Sequence, residues 1–229
     1  MSRHPQAEYQ LPAGATQLLL VRHGSSLAGA AGVVHPLVDG HSDPPLAERG
    51  HAQAAALAAR LRHERLDALF VSPLRRTAQT AAPLAAALGV EPVVRDDLRE
   101  IHLGAIESEF AVLAAAGDER VRRISREQRW DVAEGAEPME RFGARVAAEL
   151  TALAELVGPD RSAVAFTHAA VVCEACRIAT GSEPLAFRAV ENASVTRIVR
   201  SARGRWTLRA YNDVAHLEQR SAQNRPTSQ

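Results

Sequence analysis

The chain has 229 residues, which is enough for one sizeable α/β domain. Its 27 Lys and Arg residues balance its 27 Asp and Glu residues, so charge gives no reason to expect a nucleic-acid or membrane partner. No apolar run is long enough to cross a bilayer, and the first residues lack the apolar stretch of a signal peptide. These features favour a cytoplasmic protein.

Several chemistries are disfavoured by the residues that the sequence lacks. Every basic residue other than histidine is arginine, so a P-loop lysine, a Schiff-base lysine and a Ser-x-x-Lys hydrolase are excluded. The sequence also has no H-x-H, H-E-x-x-H or G-x-S-x-G motif, and we expect no metal and no cofactor. The two cysteines, Cys173 and Cys176, lie in an apolar helical run and are predicted to be buried small hydrophobes.

The first half of the chain alternates strands and helices. Residues 17–21 are branched and apolar, which predicts a strand buried on both faces. Residues 25–45, rich in Gly, Pro, His and Asp, are predicted to form a long active-site loop. The pattern then predicts a helix over 46–62, a strand over 66–71 and a helix over 74–88. Ser72 as N-cap and Pro73 as first helical residue are typical start signals for the second helix.

The second half continues the alternation, and the whole predicts an α/β three-layer sandwich with a mostly parallel sheet and helices on both faces. The expected elements are a strand at 92–95, helices at 110–130 and 139–156, a strand at 162–166, a helix at 169–180, and strands at 194–199 and 205–211. We expect one domain over residues 17–217, a disordered N-terminal arm over 1–16 and a disordered tail over 218–229.

Five side chains are candidates for chemistry at one edge of this sheet. Arg22 and His23 follow the first strand, His168 follows a later strand, and Glu100 follows the third. Arg76 lies in the first turn of a helix, where a cation opposes the helix dipole unless an anion binds there. Each alone has an ordinary explanation as a solvated or internally satisfied group. Ligands bind at the carboxyl edge of such sheets, so together these residues predict a phosphate pocket.

An ordered set of motifs makes the prediction more specific. The sequence resembles the histidine phosphatases, which form the phosphoglycerate-mutase-like superfamily. The motifs that carry the resemblance are Leu19-Leu20-Val21-Arg22-His23-Gly24, Asp43-Pro44-Pro45-Leu46, Ser72-Pro73-Leu74-Arg75-Arg76-Thr77, Leu98-Arg99-Glu100-Ile101, Phe166-Thr167-His168 and Asn192-Ala193-Ser194. They occur in the order typical of the family, and together with flanking matches they span about residues 17–217.

The resemblance implies roles for these residues. His23 would be the nucleophile that becomes phosphorylated, and Glu100 would be the proton donor to the leaving oxygen. The groups expected to hold the phosphoryl group are Arg22, Arg76 and His168, and the substrate-binding positions are Arg22, Ser26, Arg76 and Ala169. Arg75 is expected to face outward or toward the substrate. The chain departs from the usual family pattern at Ser25, Ala169 and Ile106-Glu107-Ser108, where Glu, Gly and Trp-Glu-Gly are common.

The expected activity is that of a phosphomonoesterase of the histidine acid phosphatase type, acting on a small phosphorylated metabolite. A phosphoglycerate mutase and a catalytically impaired phospho-ligand binder remain as alternatives. The candidate specificity loop, residues 33–43, carries His35, Asp39 and His41, which either contact a polar substrate or are simply solvated. The sequence leaves a homodimer open.

Overall fold

The computed structural model describes residues 9–27 and 35–218, which form one α/β unit. The strands are β1 (Thr16–Arg22), β2 (Leu37–Val38), β3 (His41–Ser42), β4 (Ala68–Val71), β5 (Val93–Val94), β6 (Arg161–Thr167), β7 (Val195–Arg200) and β8 (Trp206–Asp213). The α-helices are α1 (Glu48–Leu61), α2 (Arg75–Leu88), α3 (Phe110–Ala116), α4 (Glu119–Glu127), α5 (Met139–Val157), α6 (Ala169–Thr180) and α7 (Ala215–Glu218).

Six of the strands form one sheet in the order β5-β4-β6-β1-β7-β8. The pairs β5–β4, β4–β6 and β6–β1 are parallel, whereas β7 runs antiparallel to both β1 and β8. The sheet is therefore mostly parallel, as the alternating pattern predicts. None of the described helices combines the length and apolar character that a bilayer-spanning segment needs.

The central strand β1 is buried on both of its faces. Leu18 and Leu20 pack into a core cluster with residues of α5 and α6, while Leu19 and Val21 pack on the opposite face with residues of α1 and α2. Successive side chains of a strand point to opposite faces, so an unbroken apolar run is what a strand between two helical layers requires. The three-layer architecture is confirmed.

The predicted N-terminal arm and tail lie mostly outside the described residues, which exclude 1–8 and 219–229. The last residues of the predicted arm, 14–16, belong to the fold. Ala15 and Thr16 are buried, and the backbone N–H of Gly14 donates to Asp160 Oδ1 at 2.6 Å.

The predicted long loop contains a short hairpin, β2–β3, that the sequence pattern did not indicate. Both cysteines are buried and free, as predicted, and burial raises the pKa of Cys173 to about 11.

The predicted start of α2 is wrong. The helix begins at Arg75, its N-cap residue is Leu74, and Ser72 lies outside it in the segment that follows β4. The hydroxyl oxygen of Ser72 lies 2.8 Å from His168 Nε2, so the side chain is engaged by a residue far along the chain. The same oxygen still accepts from the backbone N–H of Leu74 at 3.3 Å, so a tertiary contact has been added to a local hydrogen bond made one turn before the helix begins.

The predicted single helix over residues 110–130 is also wrong, because the chain breaks it into α3 and α4. Gly117 has a left-handed backbone with φ +64° and ends α3. Asp118 is the N-cap of α4, and its carboxylate accepts from the backbone N–H of Arg120 at 2.9 Å. A left-handed glycine followed by an aspartate is a helix stop followed by a helix start.

Residues 104–136, which contain α3 and α4, begin and end side by side, and Ile106 and Leu113 pack into the main core cluster. We call this segment the cover segment. Leu103 and Ala136 form an antiparallel β-bridge, and the backbone N–H of Ala105 donates to Glu134 O at 2.9 Å. A Cβ on Gly104, which has φ +60°, would lie 2.2 Å from the same oxygen, so the close approach requires glycine.

Candidate active site

A cavity of about 510 Å³ opens at the carboxyl ends of β1, β4 and β6. Its lining residues are Arg22, His23, Ser25, Ser26, His35, Ser42, Pro44, Arg76, Glu100, Ile101, Leu103, Glu107, Ser108, Phe110, Ala111, Val112, Trp130, Ala169, Ala170, Arg188 and Asn192. All the predicted site residues except His168 line it. Among the described residues, no group of three or more His, Cys, Asp or Glu side chains is placed to hold a metal ion.

The two candidate histidines are brought together by the register of the sheet. Arg22, the last residue of β1, is paired with Thr167, the last residue of β6, and the backbone N–H of His23 donates to Thr167 O at 3.0 Å. The residue that follows each of these strands is a histidine, so the pairing places His23 and His168 side by side. The ring centroids of His23 and His168 lie 5.2 Å apart.

The hydrogen bonding of His23 fixes its tautomer. Its Nδ1 lies 2.8 Å from the carbonyl oxygen of Gly24, which can only accept, so Nδ1 carries the proton. Burial lowers the pKa of His23 well below its usual 6.5, and the charges of Arg76 and Arg22 lower it further. The imidazole is therefore neutral at neutral pH, and Nε2 carries a lone pair. An unprotonated Nε2 is the form that can attack phosphorus.

Two buried guanidinium groups lie beside this imidazole. Arg22 donates through Nη1 to the backbone oxygen of Val190, while its Nε has no hydrogen-bond partner among the described residues. Arg76 donates through Nη1 to Ser42 O at 2.8 Å and lies 3.8 Å from Asp43 Oδ1. Burial lowers the pKa of both, and Glu100 acts in the opposite direction on each. Guanidinium groups remain charged in proteins, so the cavity concentrates positive charge at this point.

Glu100 provides the carboxyl group of the site. Burial raises its pKa above the usual 4.5, while Arg76, Arg22 and the backbone N–H groups of Ile101 and Ala170 oppose that shift. Oε1 accepts from both of these amides at 3.1 Å, which holds the side chain against the cavity wall. A carboxyl group with a raised pKa keeps its proton to a higher pH, as a general acid must.

His168 is adjacent to His23 but is fully buried behind the cavity wall. Its Nε2 lies 2.8 Å from Ser72 Oγ, and its Nδ1 has no hydrogen-bond partner among the described residues. Burial lowers the pKa of His168 well below 6.5, with Arg76 and His23 as further causes. The ring is therefore neutral, with one nitrogen engaged by Ser72 and the other unpaired.

Two residues that support the site were not predicted to do so. His41, which was expected either to contact a polar substrate or to be solvated, is buried, and its Nε2 lies 3.0 Å from Glu100 O. Asp43 is buried beside Arg76, and its Oδ1 accepts from the backbone N–H of Arg75 at 2.9 Å. The Asp-Pro-Pro-Leu motif was the available signal for Asp43. The Arg75 side chain is 43% exposed and lies outside the cavity lining, as expected.

Asn192 was quoted only as part of a motif, yet it lines the cavity. Its Nδ2 donates to His23 O at 3.0 Å, so it braces the backbone of the candidate nucleophile from a segment 169 residues away. Close packing holds the other side of that backbone. A Cβ on Gly24 would lie 2.7 Å from Gly50 O, and one on Gly50 would lie 2.1 Å from Ser25 O. Neither glycine can be replaced without moving backbone.

The departures from the family pattern leave the candidate groups in place. Ala169 is the first residue of α6, with helical backbone, so it needs no glycine for its conformation. Ser25 lines the cavity, and its backbone N–H donates to Gln53 Oε1 at 2.8 Å. Glu107 accepts from the backbone N–H groups of Ser42 and Leu103 at 3.2 and 2.8 Å and thereby ties β3 to the segment that carries Glu100.

Parts of the candidate specificity loop differ in their contacts. His35 lines the cavity, whereas the carboxylate of Asp39 is 68% exposed and pairs with Arg99 at 3.5 Å. Residues 33 and 34 lie outside the described residues. Only His35 of the three polar residues proposed for this loop therefore faces the cavity.

The neutral buried histidines predict a loss of stability in mild acid. Below pH 6.5 the unfolded chain protonates His23 and His168, while the folded protein keeps them neutral, so the unfolded state binds more protons. The free energy of unfolding should fall with decreasing pH, at a slope approaching about 1.4 kcal/mol per pH unit for each histidine. Urea unfolding between pH 7 and 5.5 measures this slope. His168→Gln, which removes one of the two buried imidazoles, should reduce it.

Comparison with known proteins agrees with this geometry. Residues 18–214 match the sequence profile of the histidine phosphatase superfamily (branch 1). The chain belongs to the histidine phosphatase superfamily. Its six-stranded sheet is the phosphoglycerate-mutase-like fold, and the chain is a phosphoryl-handling enzyme, since the superfamily includes both phosphatases and mutases.

The relatives of this chain carry names of both kinds. It is 30% identical over 211 residues to a probable phosphoglycerate mutase of Yersinia enterocolitica, covering 88% of this chain and 95% of the relative. It is similar to a mycobacterial glucosyl-3-phosphoglycerate phosphatase (26% identity, TM-score 0.70, covering 87% and 100% of the two chains). It shares the fold of a Bacillus anthracis phosphoglycerate mutase (23% identity, TM-score 0.72, covering 90% and 97%).

Proposed function

We propose that this protein hydrolyses a small phosphomonoester in two steps through a phosphohistidine on His23. In the first step, Nε2 of His23 bonds to phosphorus, the bond from phosphorus to the ester oxygen breaks, and Glu100 gives its proton to the leaving alkoxide. In the second, the Glu100 carboxylate takes a proton from water, whose oxygen attacks phosphorus and breaks the P–N bond. Inorganic phosphate leaves, and Glu100 is protonated again.

The observation that carries this proposal is the state of His23. A neutral ring whose Nδ1 is bound to Gly24 O has its one free lone pair on Nε2, beside Arg22 and Arg76. The two guanidinium groups neutralise the charge of the transferred group, so positioning and electrostatics supply the catalysis without a metal. His168 is proposed to bind the transferred phosphoryl group through Nδ1. That atom has no hydrogen-bond partner among the described residues, whereas Nε2 contacts Ser72 Oγ.

Hydrolysis is favoured over mutase activity by the distribution of charge. A mutase must retain and reorient a bisphosphorylated intermediate, which needs a second cluster of cations facing the first. Away from Arg22 and Arg76, the described lining of the cavity offers a single arginine, Arg188. The 30% identity to a probable phosphoglycerate mutase keeps phosphoryl transfer as the second candidate.

The test compares two reactions of the purified protein. p-Nitrophenyl phosphate should be hydrolysed equally with and without a chelator. 3-Phosphoglycerate, with and without 2,3-bisphosphoglycerate, should give no 2-phosphoglycerate above background. Isomerisation that depends on the bisphosphate would replace the phosphatase assignment by the mutase. No turnover in either assay would leave a phospho-ligand binder.

A further inference from the structure

The cavity wall that faces away from the sheet differs chemically from the phosphoryl end. The cover segment contributes Phe110, Ala111 and Val112 from α3 and Trp130 from the chain that follows α4. These four apolar side chains form one wall of the cavity, next to Glu107 and Ser108, which the same segment contributes just before α3. Apolar lining with a few placed polar groups is typical of pockets that bind a small molecule's body.

Two aromatic side chains of this wall are held in place from behind. Phe110 and Trp130 pack against a buried cluster made by Ile124, Cys173 and Leu185. Both rings are only partly buried, so each presents its other side to the cavity. A fixed, partly exposed aromatic surface binds an apolar group without first having to be ordered.

One cation stands at the edge of this wall. Arg188 lines the cavity, is exposed, and donates through Nη1 to Ser125 Oγ of α4. No carboxylate of the described residues lies within 4 Å of it, in contrast to most of the arginines on α4 and around it. Arginine binds carboxylates and phosphates in a planar, two-point fashion.

We propose that this wall is the leaving-group subsite, and that the enzyme prefers phosphomonoesters whose alcohol carries an apolar or aromatic body with an anionic group at its far end. The inference rests on the proposed hydrolysis. The phosphate end takes the reacting group, the Phe110–Trp130 wall contacts the body, and Arg188 pairs with the distal anion. A cavity of about 510 Å³ has room for such a body beyond the phosphoryl group.

The first experiment compares benzyl phosphate with ethyl phosphate, whose leaving alcohols are similar in acidity. Because the ring would be taken from water onto the wall, kcat/KM for the benzyl ester should exceed that for the ethyl ester by about tenfold or more. Val112→Asp, at an exposed wall position, should reduce this ratio to near 1. Val94→Asp makes the same change at an exposed valine of β5 outside the cavity and should leave the ratio as in the wild type.

The second experiment tests the arginine with 4-carboxybenzyl phosphate beside benzyl phosphate. The carboxylate should lower KM by about threefold to fivefold, because an ion pair at an exposed site is worth little more. Arg188→Gln should remove this advantage, as should high salt. Arg203→Gln, at an exposed arginine in the β7–β8 turn, is the matched control. An advantage that survives Arg188→Gln would overturn the assignment of the distal anion.

A binding measurement separates failure of the subsite from failure of the proposed reaction. Benzylphosphonate and ethylphosphonate have no ester bond to break, and calorimetry gives their Kd values whether or not the protein turns over esters. Tighter binding of benzylphosphonate by about tenfold, lost in Val112→Asp, supports the subsite on its own. Equal Kd values would overturn it even if both phosphate esters are hydrolysed.

Discussion

Replacing His23 by alanine should lower the turnover of p-nitrophenyl phosphate on the order of 10⁴- to 10⁶-fold, as loss of a nucleophile does in other enzymes with covalent intermediates. The ring provides the free imidazole lone pair that lies beside Arg22 and Arg76. Steady-state rates, together with acid quenching of the enzyme mixed with a ³²P-labelled ester, measure the loss of turnover and of the phosphoenzyme.

The matched control is His51→Ala, which removes an exposed imidazole in the first turn of α1. It should keep the turnover and the label of the wild type. Thermal unfolding of the His23 variant establishes that the loss is chemical. Turnover that survives His23→Ala, or a label that remains on the protein, would refute the proposed mechanism.

Replacing Glu100 by glutamine should have an effect that depends on the leaving group. Glutamine keeps an oxygen that can accept from Ile101 and Ala170 but has no acidic proton to give. Ethyl phosphate, whose alkoxide needs that proton, should lose about 10²- to 10³-fold in kcat. p-Nitrophenyl phosphate should lose much less, because its leaving group stabilises its own negative charge.

The pH profile provides an independent readout for the same variant. Burial raises the pKa of Glu100 above 4.5, so the acid form persists as pH rises and is lost when pH passes that raised value. The kcat of the wild type on ethyl phosphate should fall on this alkaline side, and the fall should be absent in Glu100→Gln. Glu107→Gln, at a cavity carboxylate bound to backbone amides, should affect both substrates by a similar factor. Equal losses for both substrates in Glu100→Gln would remove Glu100 from the role of acid.

The phosphoryl end of the candidate site was predictable because its residues follow strands with strong burial patterns. The apolar run before Arg22 and the similar run before His168 each indicate a buried strand, and parallel strands end at the same edge of a sheet. The pairing of Arg22 with Thr167 then brings the two histidines together. A local pattern was sufficient here because the side chain that matters is the next one along the chain.

The supporting contacts were not predictable, since they join segments far apart in sequence. His41 contacts the backbone of Glu100 across 59 residues, and Ser72 contacts His168 across 96. In each case the local pattern, that of a loop residue or of a helix start, gave no sign of the tertiary hydrogen bond that the folded chain makes. The break between α3 and α4 was different, because Gly117 and Asp118 carried a local signal for it that the helical periodicity around them concealed.

The meeting of the two ends of the cover segment has a consequence for how the accepted alcohol can change. Its two ends meet at the Leu103–Ala136 bridge, so the path of the remaining chain is the same whatever lies between them. His23, Arg22, Arg76 and Glu100 all lie outside it, on the sheet and its adjoining turns. We therefore expect changes within residues 105–135 to alter which alcohol is accepted while leaving the phosphoryl end in place, provided that the core contacts of Ile106 and Leu113 and the hydrogen bonds of Glu107 are retained.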